Sequence, residues 1–442
     1  MPASRLRRLT TTALVTGAAA LGLSSTAAAA DASCTRYASP AGADAAAGSA
    51  AAPFRTAQRL IDSLGPGETG CLADGTYTDG GRSYVARFGR AGTAAAPITL
   101  RSAPGQHATL KGVVFVVHGA DHVTLSGLTL DGRPSSGTPT PSPQVMAADT
   151  TFEANEITNG ATDICMIVGN TGEWGRAART VVTGNRFHDC GSDRQLDHSI
   201  YVEAVEDARI TGNTFVRTSA YAVHIYPDAH GTLVAGNVMD DNGGGVIFAG
   251  EGGQASTDNV VERNVITGSH HKPGISSWWG GTVGRGNVAR DNCLSDNASG
   301  GVVTSGGGFT ASGNLSAAPG YVDRAAGDYR LRPDSPCLSK VAVATAASAQ
   351  GAATPAPAAS TPASPASPGA APAAPTAAKA HAKAKAKKKT AGQKARAKAR
   401  KARAARKRAC TRIARAARRG GASPKKVRQA ALRCVARATR RA

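Results

Sequence analysis

Short runs in which apolar and other residues alternate recur through the middle of the chain, each four to six positions long and rich in β-branched side chains. Ser199 to Glu203, Val223 to Tyr226, Val246 to Ala249, Gly274 to Ser277 and Gly301 to Thr304 show the pattern. Such runs are too short for helices and have the period of strands. About ten to twenty residues after each comes a second run built around an asparagine, as in Ile210-Thr211-Gly212-Asn213-Thr214-Phe215, Val234-Ala235-Gly236-Asn237-Val238-Met239 and Val261-Glu262-Arg263-Asn264-Val265-Ile266. Asn155, Asn185, Asn213, Asn237, Asn264, Asn292 and Asn314 follow one another at intervals of 30, 28, 24, 27, 28 and 22 residues. A repeat of that length predicts stacked supersecondary units with at least two strands per turn.

Similar strands running in one direction pair in parallel with their counterparts one repeat later, about 4.8 Å away. The predicted fold is all-β, a parallel β-helix. Asparagine suits one of its turns because it tolerates unusual backbone angles and its amide can bond to the next amide in the stack. The asparagines are therefore structural rather than catalytic.

Tyr37-Ala38-Ser39-Pro40, Pro53-Phe54-Arg55-Thr56-Ala57-Gln58, Gly65-Pro66-Gly67-Glu68, Asp74-Gly75-Thr76-Tyr77 and Ala96-Pro97-Ile98-Thr99-Leu100 occur in that order near the start. Asp328-Tyr329-Arg330-Leu331-Arg332-Pro333-Asp334-Ser335-Pro336 closes the repeats. Over about residues 36 to 338 the chain resembles the secreted right-handed parallel β-helix proteins of the pectate-lyase-like superfamily, with these segments as its N-terminal cap and last coil. The resemblance implies fold; its members differ in reaction, so function is argued from the site.

Composition divides the chain. Arg5, Arg7 and Arg8 precede an apolar run from Ala13 to Leu23, so residues 1–30 read as a signal peptide, too short in its core for a transmembrane anchor. Residues 31–340, the β-helix domain, hold 23 Lys and Arg against 30 Asp and Glu, a net charge of −7. An Ala/Pro-rich linker at 341–380 lacks the large apolar residues needed for a core and reads as disordered. The tail at 381–442 is rich in Lys and Arg; with the linker it holds 26 of them and no acid. Its end reads as a helical hairpin at 409–441, with Gly420-Gly421 breaking the first helix and Ser423-Pro424 starting the second. The chain's net charge of +22 thus describes the tail and implies no basic groove on the coil.

Eight cysteines in an exported chain favour disulfides. Pairing nearest neighbours gives Cys34–Cys71, Cys165–Cys190, Cys293–Cys337 and Cys410–Cys434. No pair has the short spacing of zinc ligands.

Aligning the first strand set on Ile200, Val223, Val246, Ile275 and Val302 as inward positions leaves two outward columns. Tyr201, His224, Ile247 and Ser276 form one; Glu203, Tyr226, Ala249 and Trp278 form the other. Tyr201, His224, His198 and Lys272 are the candidate catalytic residues, because Tyr, His and Lys can move protons. Glu203, Tyr226, Asp228, His230, Glu251, Trp278 and Trp279 are the candidate substrate-binding residues, the aromatics as stacking faces for sugar rings. Each has a bland reading: His198 as a turn residue bonding backbone, Tyr201 and His224 as a surface ladder pair, Trp279 as packing beneath a loop. Asp240-Asp241, and Asp189 with Asp193, are either calcium ligands or turn residues, and calcium is the one cofactor left open.

The leading reading is a polysaccharide lyase acting on a uronate-containing polymer by proton abstraction and β-elimination. An inverting glycoside hydrolase using Glu203 and Glu251, and a non-catalytic glycan-binding or cell-wall-associated protein, are the alternatives. The reading expects a secreted, extracellular or cell-wall-associated monomer, a polysaccharide partner and no specific nucleic-acid recognition, since the tail has no aromatic residues for base stacking. The tail is expected to hold an anionic cell-wall polymer or other polyanion by charge. The full chain should then leave immobilised heparin at higher salt than a chain ending at Lys340; elution of both at one ionic strength would remove the anchor.

Overall fold

The inward positions of successive repeats stack into continuous columns. Ile200, Val223, Val246 and Ile275 are in direct parallel register, and Val302 extends the column through an isolated bridge to Ile275. All but Val302 are fully buried. On another wall Ile157, Phe187, Phe215, Met239, Ile266 and Leu294 form a second column, with the Phe187 and Phe215 rings stacked at 4.8 Å. Each such side chain contributes about 1.5–3 kcal/mol through burial. The computed structural model describes residues 33–135, 139–171 and 175–341. The expected signal peptide, the linker beyond Val341, the basic tail with its hairpin and the Cys410–Cys434 bridge lie outside these residues.

Each coil crosses three sheets. Among the described residues they contain eleven, nine and ten strands, and each strand's neighbours come from the preceding and following coils. Within them pairing is parallel except where Gln254–Ala255 folds back on Gly244–Gly252. A short fourth sheet, Ala177–Ala178, Val205–Glu206 and Ala229–His230, turns one corner.

The seven asparagines form an unbroken amide ladder. The backbone N–H and the Nδ2 of each donate to Oδ1 of the next, at 2.9–3.0 Å from Asn155 to Asn314. The expectation that asparagine itself takes the unusual backbone angle is corrected. Left-handed residues stand one position earlier: Ala154, Gly184, Gly212, Gly236, Arg263, Asp291 and Gly313, with φ of 50–65°. Glycine enters that region without steric cost, and it holds four of the seven positions. The asparagine's contribution is its amide, which satisfies buried backbone groups that a corner would otherwise strand. Shorter ladders at other corners were not foreseen: Asn259 donates to Asn287, and Asn242 and Asn297 accept from Thr218 and Ser269 of the preceding coils.

Both ends are covered. The helix Ala57–Ser63, capped by the Thr56 side chain, lays Leu60 and Ile61 over the first coils. It sits so close that a Cβ on Gly70 would meet Leu64 at 2.9 Å. At the other end the antiparallel pair Tyr321–Asp323 and Asp328–Leu331 is tied back by Arg324, which donates to both oxygens of buried Asp240 at 2.7 and 2.8 Å. Disulfides join Cys34 to Cys71, Cys165 to Cys190 and Cys293 to Cys337, with Cα separations of 5.6, 5.4 and 5.5 Å.

Asn213→Ala removes the acceptor for Asn185 and the donor to Val182 and Asn237. Stability in urea should fall by on the order of 3 kcal/mol, because several buried groups lose their partners. A loss under about 0.5 kcal/mol would show the ladder to be decoration.

Candidate active site

The register places the outward columns as the apolar alternation requires. Tyr201 lies opposite His224, His224 opposite Ile247, and Ile247 opposite Ser276. Ala249 lies opposite Trp278 in the next column. Three half-buried rings meet: His224 stacks on Tyr226 at 5.0 Å, Tyr201 packs edge-on to His224 at 5.1 Å, and Tyr201 and Tyr226 are 5.9 Å apart. Trp278, 52% exposed, lies 6.2 Å from Tyr226 and extends the aromatic surface. The Tyr226 hydroxyl donates to the carboxylate of Glu251, which the hairpin Gly244–Gly252 with Gln254–Ala255 holds beside it.

Tyr221 belongs to this face and was missed. Counting alternation from Val223 points it inward, yet its ring packs with Ile247 and Ala249 outside, and its hydroxyl meets Ser276 at 3.2 Å. The signal was Gly244 on the next coil, where a Cβ would meet the Tyr221 ring at 2.7 Å. Lys272 sits with its ammonium 5.1 Å from that ring centre.

Burial sets the protonation of the cluster. It lowers His224 to about 3, with the Lys272 charge adding to the effect. It raises Tyr201 well above an ordinary phenol. Tyr226 rises for the same reason, reinforced by the adjacent Glu251 carboxylate. Lys272 is lowered by its own partial burial. At neutral pH the face therefore presents a neutral imidazole and protonated phenols, with Lys272, Glu203 and Glu251 beside them.

Several candidates are placed differently. His198 was expected to be catalytic but is 1% exposed, beneath the other rings and out of reach of a polymer; its Nδ1 accepts from the Tyr221 backbone N–H at 3.3 Å. Glu203 is in its column, but its carboxylate is held by the Thr171 N–H, at 3.0 Å, and hydroxyl. Asp228 and His230 pair with each other at the corner sheet, and Asp228 also with Arg176. They form an ionic cluster of their own rather than part of the ring face. Trp279 packs against the core with its Nε1 donating to the Gly307 carbonyl at 3.1 Å. Strand alternation sends it the opposite way from Trp278. Three of the four carboxylates offered for calcium are occupied, Asp240 by Arg324 and Thr267, Asp189 by Arg217 and His188, and Asp241 by His270, while exposed Asp193 accepts from the Gln195 backbone N–H at 2.8 Å. Among the described residues no group of three or more His, Cys, Asp or Glu is arranged to hold a metal ion.

A family model described as a right handed beta helix region matches residues 115–316. No curated protein matches the sequence. Solved structures similar to the chain include a pectate lyase, at 16% identity and a TM-score of 0.46 over 69% of this chain and 91% of that one. A rhamnogalacturonan lyase is similar at 13% identity and 0.41, over 60% and 74%. A GH136 lacto-N-biosidase from Eubacterium ramulus is similar at 12% and 0.35, over 63% and 67%. Among the described residues no helix is long and apolar enough to cross a membrane, and the three disulfides fit an oxidising compartment.

The lowered His224 has a consequence for stability. Between its folded value of about 3 and its unfolded value of 6.5 the unfolded chain binds a proton that the folded chain refuses, so stability falls as pH drops through that window. His224→Gln should abolish on the order of 3 kcal/mol of the loss between pH 7 and 4, measured by urea unfolding at both. An unchanged loss in the variant would mean that the ring is solvated.

Proposed function

We propose that this chain, a right-handed β-helix protein of the pectate-lyase-like type, is a secreted polysaccharide lyase that cleaves a uronate-containing polymer by β-elimination. The observation that carries the proposal is the Tyr201–His224–Tyr226 ring cluster, with Tyr226 bonded to Glu251 and flanked by exposed Trp278.

β-Elimination needs a base for the proton α to the uronate carboxyl and an acid for the leaving glycosidic oxygen. As the carbon–hydrogen bond breaks, its electron pair forms the ring double bond, and the carbon–oxygen bond breaks with its own pair departing on the glycosidic oxygen, which is protonated. Tyr226 is suited to take the carbon-bound proton while passing its own to Glu251, since the two are already hydrogen-bonded. Tyr201, kept protonated by burial, is suited to donate to the leaving oxygen. The Lys272 ammonium opposes the uronate's negative charge, and Trp278 offers a stacking face to a neighbouring sugar. Calcium remains an additive to test, because the carboxylates nearest to a ligand set are engaged by arginine or histidine.

The hydrolase alternative is less favoured because Glu203 is already committed to Thr171. A binding-only role is favoured by one observation, the exposure of Trp278 beside Tyr226. Incubating the purified full chain with uronate polymers and neutral glycans, with and without calcium, separates all three. The expected product carries unsaturated ends seen by ultraviolet absorbance, and Tyr226→Phe should lower its rate by about 10²–10⁴-fold. Reducing ends without unsaturation would point to hydrolysis. Retention of glycan with no product would leave binding.

A further inference from the structure

The Tyr221 backbone N–H can only donate, and it is aimed at Nδ1 of His198 at 3.3 Å. That nitrogen must therefore present its lone pair, and a neutral imidazole with a bare Nδ1 carries its hydrogen on Nε2. Nε2 of His198 lies 2.7 Å from Nδ1 of His224, so His198 donates and His224 accepts. His224 in turn must carry its own hydrogen on Nε2. We propose that His198 is a positioning residue that locks His224 in the Nε2–H form, so that this face offers a neutral hydrogen-bond donor to a carboxylate or hydroxyl oxygen of the polymer. Only the identity of that ligand rests on the lyase reading; the tautomer follows from one backbone amide and two ring contacts.

The lock is enforced by burial. With His198 1% exposed, the ring is shut off from bulk solvent, and the reversed order would set the Tyr221 N–H against a second donor. The amide is itself held, because the Ala220 carbonyl of the same peptide unit accepts from Gly244 N–H at 3.0 Å on the following coil. The consequence for chemistry is an exclusion. His224 Nε2 has no lone pair with which to take a proton from carbon, and a second proton on Nδ1 would face the His198 N–H. His224 is thus a binding or polarising group, and proton abstraction falls to Tyr226 and Glu251.

The tautomer can be read without any activity. In the full chain labelled with ¹⁵N-histidine, long-range ¹H–¹⁵N correlation spectra distinguish Nε2–H from Nδ1–H rings, and His224→Gln identifies the His224 signals by their loss. At neutral pH His198 and His224 should both show the pure Nε2–H pattern. In His198→Phe the two His224 nitrogens should shift toward each other, as expected for exchanging tautomers. An Nδ1–H or mixed pattern for His224 in the unaltered chain would overturn the proposal. So would a pure Nε2–H pattern persisting in His198→Phe. Should that variant not fold, the unaltered chain decides alone. If the tautomer is as stated but no uronate polymer yields product, the lyase reading fails while this inference stands.

Discussion

Everything in the coil depends on the register between one turn and the next. A parallel strand pair has no intrinsic preference between neighbouring registers until side chains supply one, and a slip of one residue would send each outward side chain into the core. Two sets of contacts prevent the slip here. Apolar columns such as Ile200–Val223–Val246–Ile275 penalise it by burial, and the amide ladder from Asn155 to Asn314 penalises it by stranding buried donors and acceptors. The ladder is the more stringent of the two, because an amide bond tolerates less displacement than an aliphatic contact. Tyr201 meets His224, and Tyr226 meets Glu251, only because both sets agree.

The parts of the structure readable in the sequence are those governed by that register. Period-two alternation is a local property, so aligning inward positions was enough to place Tyr201 beside His224 and Ala249 beside Trp278. What escaped lies where alternation is interrupted. Tyr221 sits at the start of its strand, and a glycine on the next coil lets its ring lie outside. His198 precedes its strand, where no period dictates direction, and the fold uses the freedom to bury it. The turn geometry was misassigned for a related reason: asparagine and glycine both favour left-handed backbone, and text alone does not say which of an adjacent pair adopts it. The shorter ladders have too few members to register as a repeat.

Burial has one effect on the whole ring cluster, and it explains why these residue types occur together. Removing imidazoles and phenols from water favours their neutral forms, so His198 and His224 lose protons readily while Tyr201 and Tyr226 keep theirs. A cluster of neutral groups can be packed ring against ring on a rigid sheet without an electrostatic penalty among its members. The charged groups are Lys272 by Tyr221, Glu251 at the Tyr226 hydroxyl, and Glu203, close enough to act on both Tyr201 and Tyr226. Such a layout suits a reaction in which a proton leaves one carbon and another arrives at an adjacent oxygen. Donors of fixed position are worth more there than mobile charges.

The coil's net charge of −7 argues less strongly against a polyanionic ligand than it first suggests. Many of its carboxylates face arginines: Asp149 with Arg179, Asp189 with Arg217, Asp240 with Arg324, Glu262 with Arg263 and Arg290, and Glu206 and Asp228 with Arg176. Paired charges present a dipole rather than a monopole, and salt screens a dipole within roughly 10 Å. What a polymer on the aromatic face meets at contact distance is the set without arginine partners: Lys272, Glu203, Glu251 and the neutral rings. The local field, not the sum over the coil, decides whether a uronate carboxylate is held.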